Sequence, residues 1–105
     1  VTFVDAVTAM EGDGPNMGTP REFGYTFASR NVFLQDFVLA RTIGMDPGQV
    51  TMLRLAEERG LCKQASIRLV GDEPKPERFL LPQSITNDYL SGIPRFMRGP
   101  VGVAA

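Results

Sequence analysis

The sequence has 105 residues, of which 43% are hydrophobic and 22% charged, with a formal net charge of -1. These proportions are those of one ordinary globular domain, so we expect a single domain over residues 1–105 rather than a disordered or fibrous chain. The balance of 11 basic and 12 acidic residues gives no broad positive surface for nucleic acid or an anionic membrane. We therefore predict neither of those partners.

Cysteine and histidine usage removes several kinds of chemistry. Cys62 is the only cysteine and there is no histidine, which excludes an internal disulfide, a zinc finger, a cysteine-ligated cluster and a histidine triad. We expect Cys62 to be a small, inert apolar residue. A lone thiol fits a reducing compartment, so the predicted location is cytoplasmic. The first residue is Val1 rather than methionine, so we expect either a piece of a longer protein or a processed start.

The first part of the chain predicts two strands joined by a long loop. Residues Val1–Met10 form a valine-rich, mostly apolar run that is typical of a strand buried on both faces. Residues Glu11–Pro20 contain three glycines and two prolines, which predict a loop with unusual backbone angles. Residues Tyr25–Ser29 are aromatic and β-branched, and they predict a second strand.

Two helices are expected to follow. The first is predicted over Val32–Ile43, with Ser29 or Asn31 as its N-cap and Gly44 as its left-handed stop. A second helix is predicted to begin at an acidic N-cap and a first-turn proline and to end at a glycine. The N-cap is Asp46, the first-turn proline is Pro47 and the terminal glycine is Gly60. The apolar face of this helix consists of Val50, Leu53 and Ala56.

The last part of the chain predicts one more strand and then irregular structure. Residues Ser66–Gly71 alternate in the manner of a third strand, and residues 73–77 form a charged, proline-containing surface linker. Residues Phe79–Leu81 are expected to lie against the domain edge, and residues 92–105 to form an irregular tail. The predicted fold is α/β, with mixed α+β as the alternative: a single-layer sheet of three to four strands covered by two helices.

The acidic, glycine-rich loop is the first candidate site. It follows an apolar strand, and open α/β sheets bind ligands at that end. The glycine spacing does not match the dinucleotide fingerprint, and the lysine and hydroxyl residue of a P-loop are missing. The predicted ligand-binding residues are Gly12, Asp13, Gly14, Asn16, Arg21 and Ser29, with Arg21 as an anion contact. The alternative is a tight turn whose polar side chains satisfy its own backbone.

Asp36 is the second candidate, because its neighbours one helical turn away are apolar. A carboxylate taken out of water without partners is costly, so Asp36 is expected to meet Ser29, Arg21 or the glycine-rich loop. Glu11 and Asp36 are the candidate catalytic acid and base. The oxygens of Glu11, Asp13 and Asp36 would also suit magnesium or calcium. The alternative is that Asp36 attaches the loop to the helix and does no chemistry.

Two stretches carry a family resemblance. Residues Val4–Pro15, followed by Gly18–Arg21, resemble the signature of the uncharacterised family called domain of unknown function 362. Residues Ala28–Asp36, leading into Ile43–Pro47, resemble it too. The resemblance implies that this is the C-terminal portion of that family's domain, and that an N-terminal half is its partner. In many members a ferredoxin-like module with an iron–sulfur cluster is attached elsewhere.

The resemblance also implies that Glu11, Gly12, Gly14, Pro15 and Asp36 belong to a shared pattern, but it names no reaction. Two functional hypotheses follow. In the first, the acidic loop contributes to a ligand or active site of a larger, iron–sulfur-linked protein whose cofactor is unknown. In the second, the domain is structural or serves for docking. Whether the chain belongs to an enzyme stays open, since it has no recognisable nucleophile and base of its own.

Overall fold

A computed structural model describes residues 1–82 of the chain, which form a mixed α+β arrangement. A hairpin of two long strands is followed by two helices and by an extended segment that returns to the hairpin. The elements are β1 (Thr2–Asp13), β2 (Met17–Ser29), α1 (Val32–Thr42) and α2 (Thr51–Glu58), with 3-10 turns at Pro47–Gln49 and Gln64–Ser66. The predicted tail over 92–105 lies outside the described residues.

The hairpin replaces most of the predicted loop over Glu11–Pro20, and that prediction is wrong. Strands β1 and β2 pair antiparallel as far as Asp13 and Met17, so the connection is only three residues long. Gly12 and Gly18 lie within the paired strands rather than in a loop, and each meets a local requirement of the hairpin. Gly12 has a positive φ of 81°, and a Cβ at Gly18 would collide with the side chain of Met10.

Strand β1 is not buried on both faces as predicted, because the described sheet has only two strands and is covered on one side. A β-bulge interrupts the pairing between Ala6 and Thr8. Large apolar side chains therefore face solvent from the uncovered side and from the turn, and Phe3 is 77% exposed. The exposed set is Val1, Phe3, Val7, Met10 and Met17.

The covered face of the sheet forms one of two small cores. Ala6, Phe23 and Phe79 are buried there. The ring of Phe23 meets Tyr25 and Phe79 edge to face, with centroids 4.9 Å and 5.1 Å away. Such aromatic pairs stabilise a core beyond the apolar area that they bury. Phe79, which was predicted to lie with Leu80 and Leu81 against the domain edge, is buried in this core.

Helix α1 begins and ends where the sequence predicts. The Asn31 side chain accepts hydrogen bonds from the backbone N–H groups of Phe33 and Leu34, which makes Asn31 the N-cap. Gly44 has a φ of 86°, and a Cβ there would lie 3.2 Å from the Cα of Arg78. That close approach lets the returning segment pass over the C-terminal end of α1.

The second core lies between the helices. Phe37, Leu53, Ala56 and Cys62 are buried in it.

Asp46 caps the short 3-10 turn before α2 through a 2.9 Å hydrogen bond from the Gly48 N–H, so the predicted acidic cap acts one turn before α2 begins. Burial raises the pKa of the Cys62 thiol, and Glu57 raises it further, which makes the thiolate scarce at neutral pH.

The third predicted strand, over Ser66–Gly71, is not formed. Residues 64–66 make a 3-10 turn, and residues 67–71 have no backbone ladder to any part of the described chain. The alternation of Ile67 and Leu69 is present, but a strand also needs a neighbour with free backbone groups at bonding distance. The described residues therefore hold two strands, and the predicted sheet of three to four is not found among them.

Within residues 1–82, no helix combines the length and the apolar composition needed to cross a bilayer.

Candidate functional site

Two of the predicted site residues meet on the covered face of the hairpin. Glu11 pairs with Thr19, and Arg21 lies two residues further along β2, so the two side chains are diagonal neighbours on one face. Diagonal neighbours in an antiparallel pair lie within reach of long side chains. The Arg21 Nη1 atom is 2.8 Å from the Glu11 Oε2 atom, and the two side chains are 27% and 14% exposed.

Arg21 also holds the segment that returns from the helices. Its Nη1 donates to the backbone oxygen of Arg78 at 2.7 Å, and its Nη2 lies 3.6 Å from the Glu77 Oε2 atom. The guanidinium carbon sits 4.5 Å from the centroid of the Phe79 ring. A planar guanidinium can make all these contacts at once, whereas a lysine ammonium could not. Arg21 is therefore occupied by the protein itself.

The returning segment bonds to both halves of the fold. The Leu80 N–H donates to Glu11 Oε2 at 3.0 Å, and the Gly12 N–H donates to the Leu80 oxygen at 2.8 Å. The Glu77 N–H donates to the Thr42 oxygen at 2.7 Å, at the C-terminal end of α1. We call Glu11, Arg21 and residues 77–80 the clasp, because together they fasten the hairpin to α1.

The contacts in the clasp keep Glu11 ionised. The N–H of Leu80 lowers the pKa of the Glu11 carboxyl, the guanidinium of Arg21 lowers it further, and partial burial opposes both. The hydrogen bonds that this carboxylate accepts converge on Oε2, and no hydrogen bond to Oε1 is found in the described chain. Glu11 is thus a fixed anion with one acceptor atom to spare, and a poor general acid at neutral pH.

A cavity of about 380 Å³ lies beside the hairpin turn. Glu11, Gly12 and Gly14, which the sequence predicts as site residues, line it. The rest of its lining is apolar and comes from three parts of the chain: Met10, Pro15, Ile43, Met45, Phe79, Leu80, Leu81 and Pro82. We call it the turn cavity. Its chemistry is that of a hydrophobic pocket with one carboxylate at the edge.

The other predicted ligand residues lie elsewhere. Asp13 and Asn16 belong to the exposed tip of the hairpin and do not line the turn cavity. The Ser29 hydroxyl is used by the backbone of Asn31, from which it accepts at 3.0 Å and to whose oxygen it donates at 2.9 Å. In residues 1–82 no three acidic or cysteine side chains are grouped for a metal ion, so Glu11, Asp13 and Asp36 are not brought together.

Asp36 stands apart from the clasp. It is half-buried on α1, and among residues 1–82 its carboxylate makes no hydrogen bond or ion pair. Burial raises the pKa of its carboxyl group. The expected partners Arg21 and Ser29 are engaged elsewhere. Helix α1 buries two opposite sides, one through Phe37 and one through Gln35, and Asp36 lies at the boundary between them.

Gln35 is a buried polar residue that was not predicted from the sequence. It is 5% exposed, and neither its side-chain nitrogen nor its side-chain oxygen has a hydrogen-bond partner in the described chain. The sequence does contain a pattern that could have predicted this burial, because Gln35, Val38 and Thr42 recur at helical spacing along a second covered side of α1. The more strongly apolar side defined by Phe33 hides that signal.

Comparison with known proteins confirms the family resemblance. Residues 1–41 match the family described as Domain of unknown function (DUF362). The chain is also 32% identical over 107 aligned residues to a Synechocystis sp. protein described as thylakoid-associated, with 93% of this chain and 32% of that protein covered. This chain thus spans about a third of the length of that relative. No solved structure matches the chain.

Proposed function

Because the first 41 residues of the chain belong to the DUF362 family, we propose that this domain forms one wall of a ligand-binding site in a larger protein. The wall is the turn cavity. The observation that supports it is the joint presence of Glu11, Gly12 and Gly14 on that cavity, since the acidic, glycine-rich pattern of the sequence independently predicts these three residues for a site.

The ligand suited to the turn cavity has an apolar body and one donor or positive group. The lining is dominated by methionine, isoleucine, leucine and phenylalanine, and these supply burial for an apolar body. The spare Oε1 atom of Glu11 supplies an acceptor whose position is fixed by Arg21 and Leu80. A bare hard cation would require several oxygen ligands, so an organic cation fits this lining better.

Glu11 acts in this proposal as an anionic anchor rather than as a proton donor, because its pKa lies below the ordinary range of a glutamate. Asp36 does not line the turn cavity, and its part in catalysis or metal binding stays a prediction. An iron–sulfur cluster would belong to another part of the larger protein, since a cluster requires several cysteines and this chain has one. The cytoplasmic location also stays a prediction, because the relative is described as thylakoid-associated.

The proposal is tested by titrating benzylamine, an aromatic cation, into the protein and following backbone amide shifts by NMR. Neutral benzyl alcohol is the matched probe. We expect benzylamine to shift the amides of Glu11, Gly12 and Gly14, and to bind several-fold more tightly than the alcohol. Glu11→Gln should remove the preference for the cation, whereas Asp13→Asn, a nearby carboxylate outside the cavity, should preserve it.

A second variant covers the case in which Glu11→Gln disturbs the clasp. Leu80→Trp keeps the backbone bonds of residue 80 and adds bulk on the cavity wall, so it should block both probes in a protein that remains folded. Equal binding of the two probes, or amide shifts that are the same in Leu80→Trp as in the parent protein, would overturn the proposal.

One observation favours the second candidate function, a structural or docking domain. Arg21 and Glu11 are already engaged in fastening the hairpin to α1. A merely structural clasp predicts that Glu11→Gln lowers the free energy of unfolding while benzylamine and benzyl alcohol bind equally weakly to both forms. The same titration therefore separates the two functions.

A further inference from the structure

A groove runs between β2 and the residues that the sequence predicted as a third strand. It comprises two adjoining cavities of about 260 Å³ and 780 Å³, which share the stretch 27–30 on one side and Arg68 and Leu69 on the other. Helix α1 contributes Leu34, Gln35 and Val38 to the smaller cavity. We call this the edge groove, because it follows the unpaired edge of β2.

Backbone groups on both sides of the edge groove lack partners. Strand β2 pairs only with β1, so its other edge over residues 24–28 makes no backbone hydrogen bond in the described chain. Residues 68–71, across the groove, make none there either. An exposed strand edge is a template for another extended chain, and proteins normally cover or blunt it. Pro74 and the hydrogen bond from the Lys75 N–H to the Tyr25 hydroxyl lie at one end of the groove.

The side chain of Gln35 adds an independent sign of a missing occupant. It is more than nine-tenths buried, it lines the smaller cavity, and both of its polar atoms are unpaired in the described chain. Leaving a buried amide without hydrogen-bond partners destabilises a fold. A carboxamide holds a donor NH2 group and an acceptor oxygen side by side. Once the Gln35 side chain turns into the cavity that it lines, a peptide group can pair with both through its own oxygen and N–H.

Charge and shape narrow the occupant further. Arg30 and Arg68 line both cavities, against the one carboxylate of Asp72 in the larger cavity, and Phe27, Leu34 and Val38 give the smaller one an apolar wall. An extended peptide points alternate side chains to opposite sides, so apolar residues can face the wall while acidic residues meet the arginines. This is the chemistry of strand addition, in which main-chain bonds supply affinity and side chains supply selectivity.

We propose that the edge groove binds an extended peptide segment with alternating apolar and acidic residues, which pairs with β2 and satisfies Gln35. The segment belongs to the same larger polypeptide. The length of the relative supports this source, because this chain covers 32% of the thylakoid-associated protein and about two thirds of that protein lie outside the match. The predicted sheet of three to four strands would then be completed by that segment. The inference does not depend on the turn cavity, and failure at either place leaves the other standing.

The test is a titration of the protein with a capped hexapeptide of alternating valine and glutamate, followed by amide NMR and hydrogen exchange. Binding should shift the amides of residues 24–30 and the side-chain amide of Gln35, and should slow exchange along the outer edge of β2. The valine–lysine hexapeptide is the charge control. The acidic peptide should bind at least tenfold more tightly, and replacing Arg30 and Arg68 together by glutamine should remove that difference.

Gln35→Leu should weaken the acidic peptide at least tenfold, whereas Gln49→Leu, in the turn before α2, should leave binding unchanged. Since Gln35→Leu removes an unpaired buried amide, the variant should remain folded. Absence of shifts along β2 at millimolar peptide, or equal binding by both peptides, overturns the site. A set of overlapping peptides from the unmatched part of the Synechocystis relative tests the source. If the valine–glutamate peptide binds and none of that set does, the assignment to the same polypeptide is wrong.

Discussion

The clasp and the edge groove both contain partly or fully buried polar side chains, but the side chains that define the clasp have hydrogen-bond or ion-pair partners, whereas Gln35 in the edge groove has none in the described chain. In the clasp, Glu11 and Arg21 each meet several partners within 3.6 Å. In the edge groove, Gln35 is more deeply buried and meets none in the described chain. A satisfied polar group stabilises a fold, whereas an unsatisfied one leaves a defined bonding capacity for something else.

The largest expected effect comes from removing Arg21. Arg21→Ala should lower the free energy of unfolding by about 2 kcal/mol, because it leaves Glu11 without its cation and Phe79 without its stacking partner. Denaturant unfolding measures the change. The matched control is Arg54→Ala, whose ion pair with Glu58 is exposed and 4.0 Å long, and which should cost about 0.3 kcal/mol. Equal costs for the two variants would mean that the clasp adds nothing to stability.

Glu11→Gln should have a smaller effect that depends on pH. The amide can still accept from Leu80, so we expect a loss of about 1 kcal/mol at neutral pH. The folded-state pKa of Glu11 is lowered, so its contribution is present above the unfolded-state pKa and is lost as the pH falls through the folded-state value. Unfolding followed from pH 7 into the acid range should show the two proteins converging. A constant difference across that range would contradict the role given to the ionised carboxylate.

Gln35→Leu should act in the opposite direction. Replacing an unpaired buried amide by an apolar side chain of similar size should raise the free energy of unfolding by about 1 kcal/mol. Thermal or denaturant unfolding of the peptide-free protein measures it. A loss of stability instead would reveal a partner for Gln35 that the described residues do not contain, and would weaken the contrast with the clasp.

The smallest change is expected for Asp36→Asn. Burial raises the folded-state pKa of the Asp36 carboxyl, so the protonated carboxyl stabilises the folded state below the unfolded-state pKa. This stabilisation is lost as the pH rises through the folded-state pKa. The asparagine variant should therefore melt slightly higher than the parent at neutral pH, by less than Gln35→Leu does. The difference should vanish in acid. A lower melting temperature at neutral pH would assign Asp36 a partner.

The sequence predicted the parts of this fold that depend on local chemistry. The ends of α1 followed from Asn31 and Gly44, whose roles are set by their immediate neighbours. The failures concern contacts between distant segments. The glycines over residues 12–18 indicated a loop, because their use in a paired hairpin appears only when β1 and β2 are aligned. The predicted strand over 66–71 failed for the same reason, since its composition is suitable but the described chain offers it no partner.

The candidate site was predicted in part. Glu11, Gly12 and Gly14 do line one cavity. Their principal neighbours, residues 77–82, lie more than 60 positions away along the chain, and nothing local connects them. Gln35 was overlooked because glutamine on a helix is ordinarily exposed, and its burial follows from packing on both sides of α1.

The β-bulge of β2 that lies opposite Val7 has a consequence for the clasp. Before it, the even-numbered residues Val4 and Ala6 turn toward the covered side of the sheet; after it, the odd-numbered Ala9 and Glu11 do so. Two residues of β2, Phe23 and Gly24, lie opposite Val7 alone, and this one extra residue of β2 changes which β1 residues share the covered side with it. Without it, Glu11 would point to the open face and away from Arg21. Whether the carboxylate meets its guanidinium is therefore decided by the number of β2 residues between Arg21 and Tyr25.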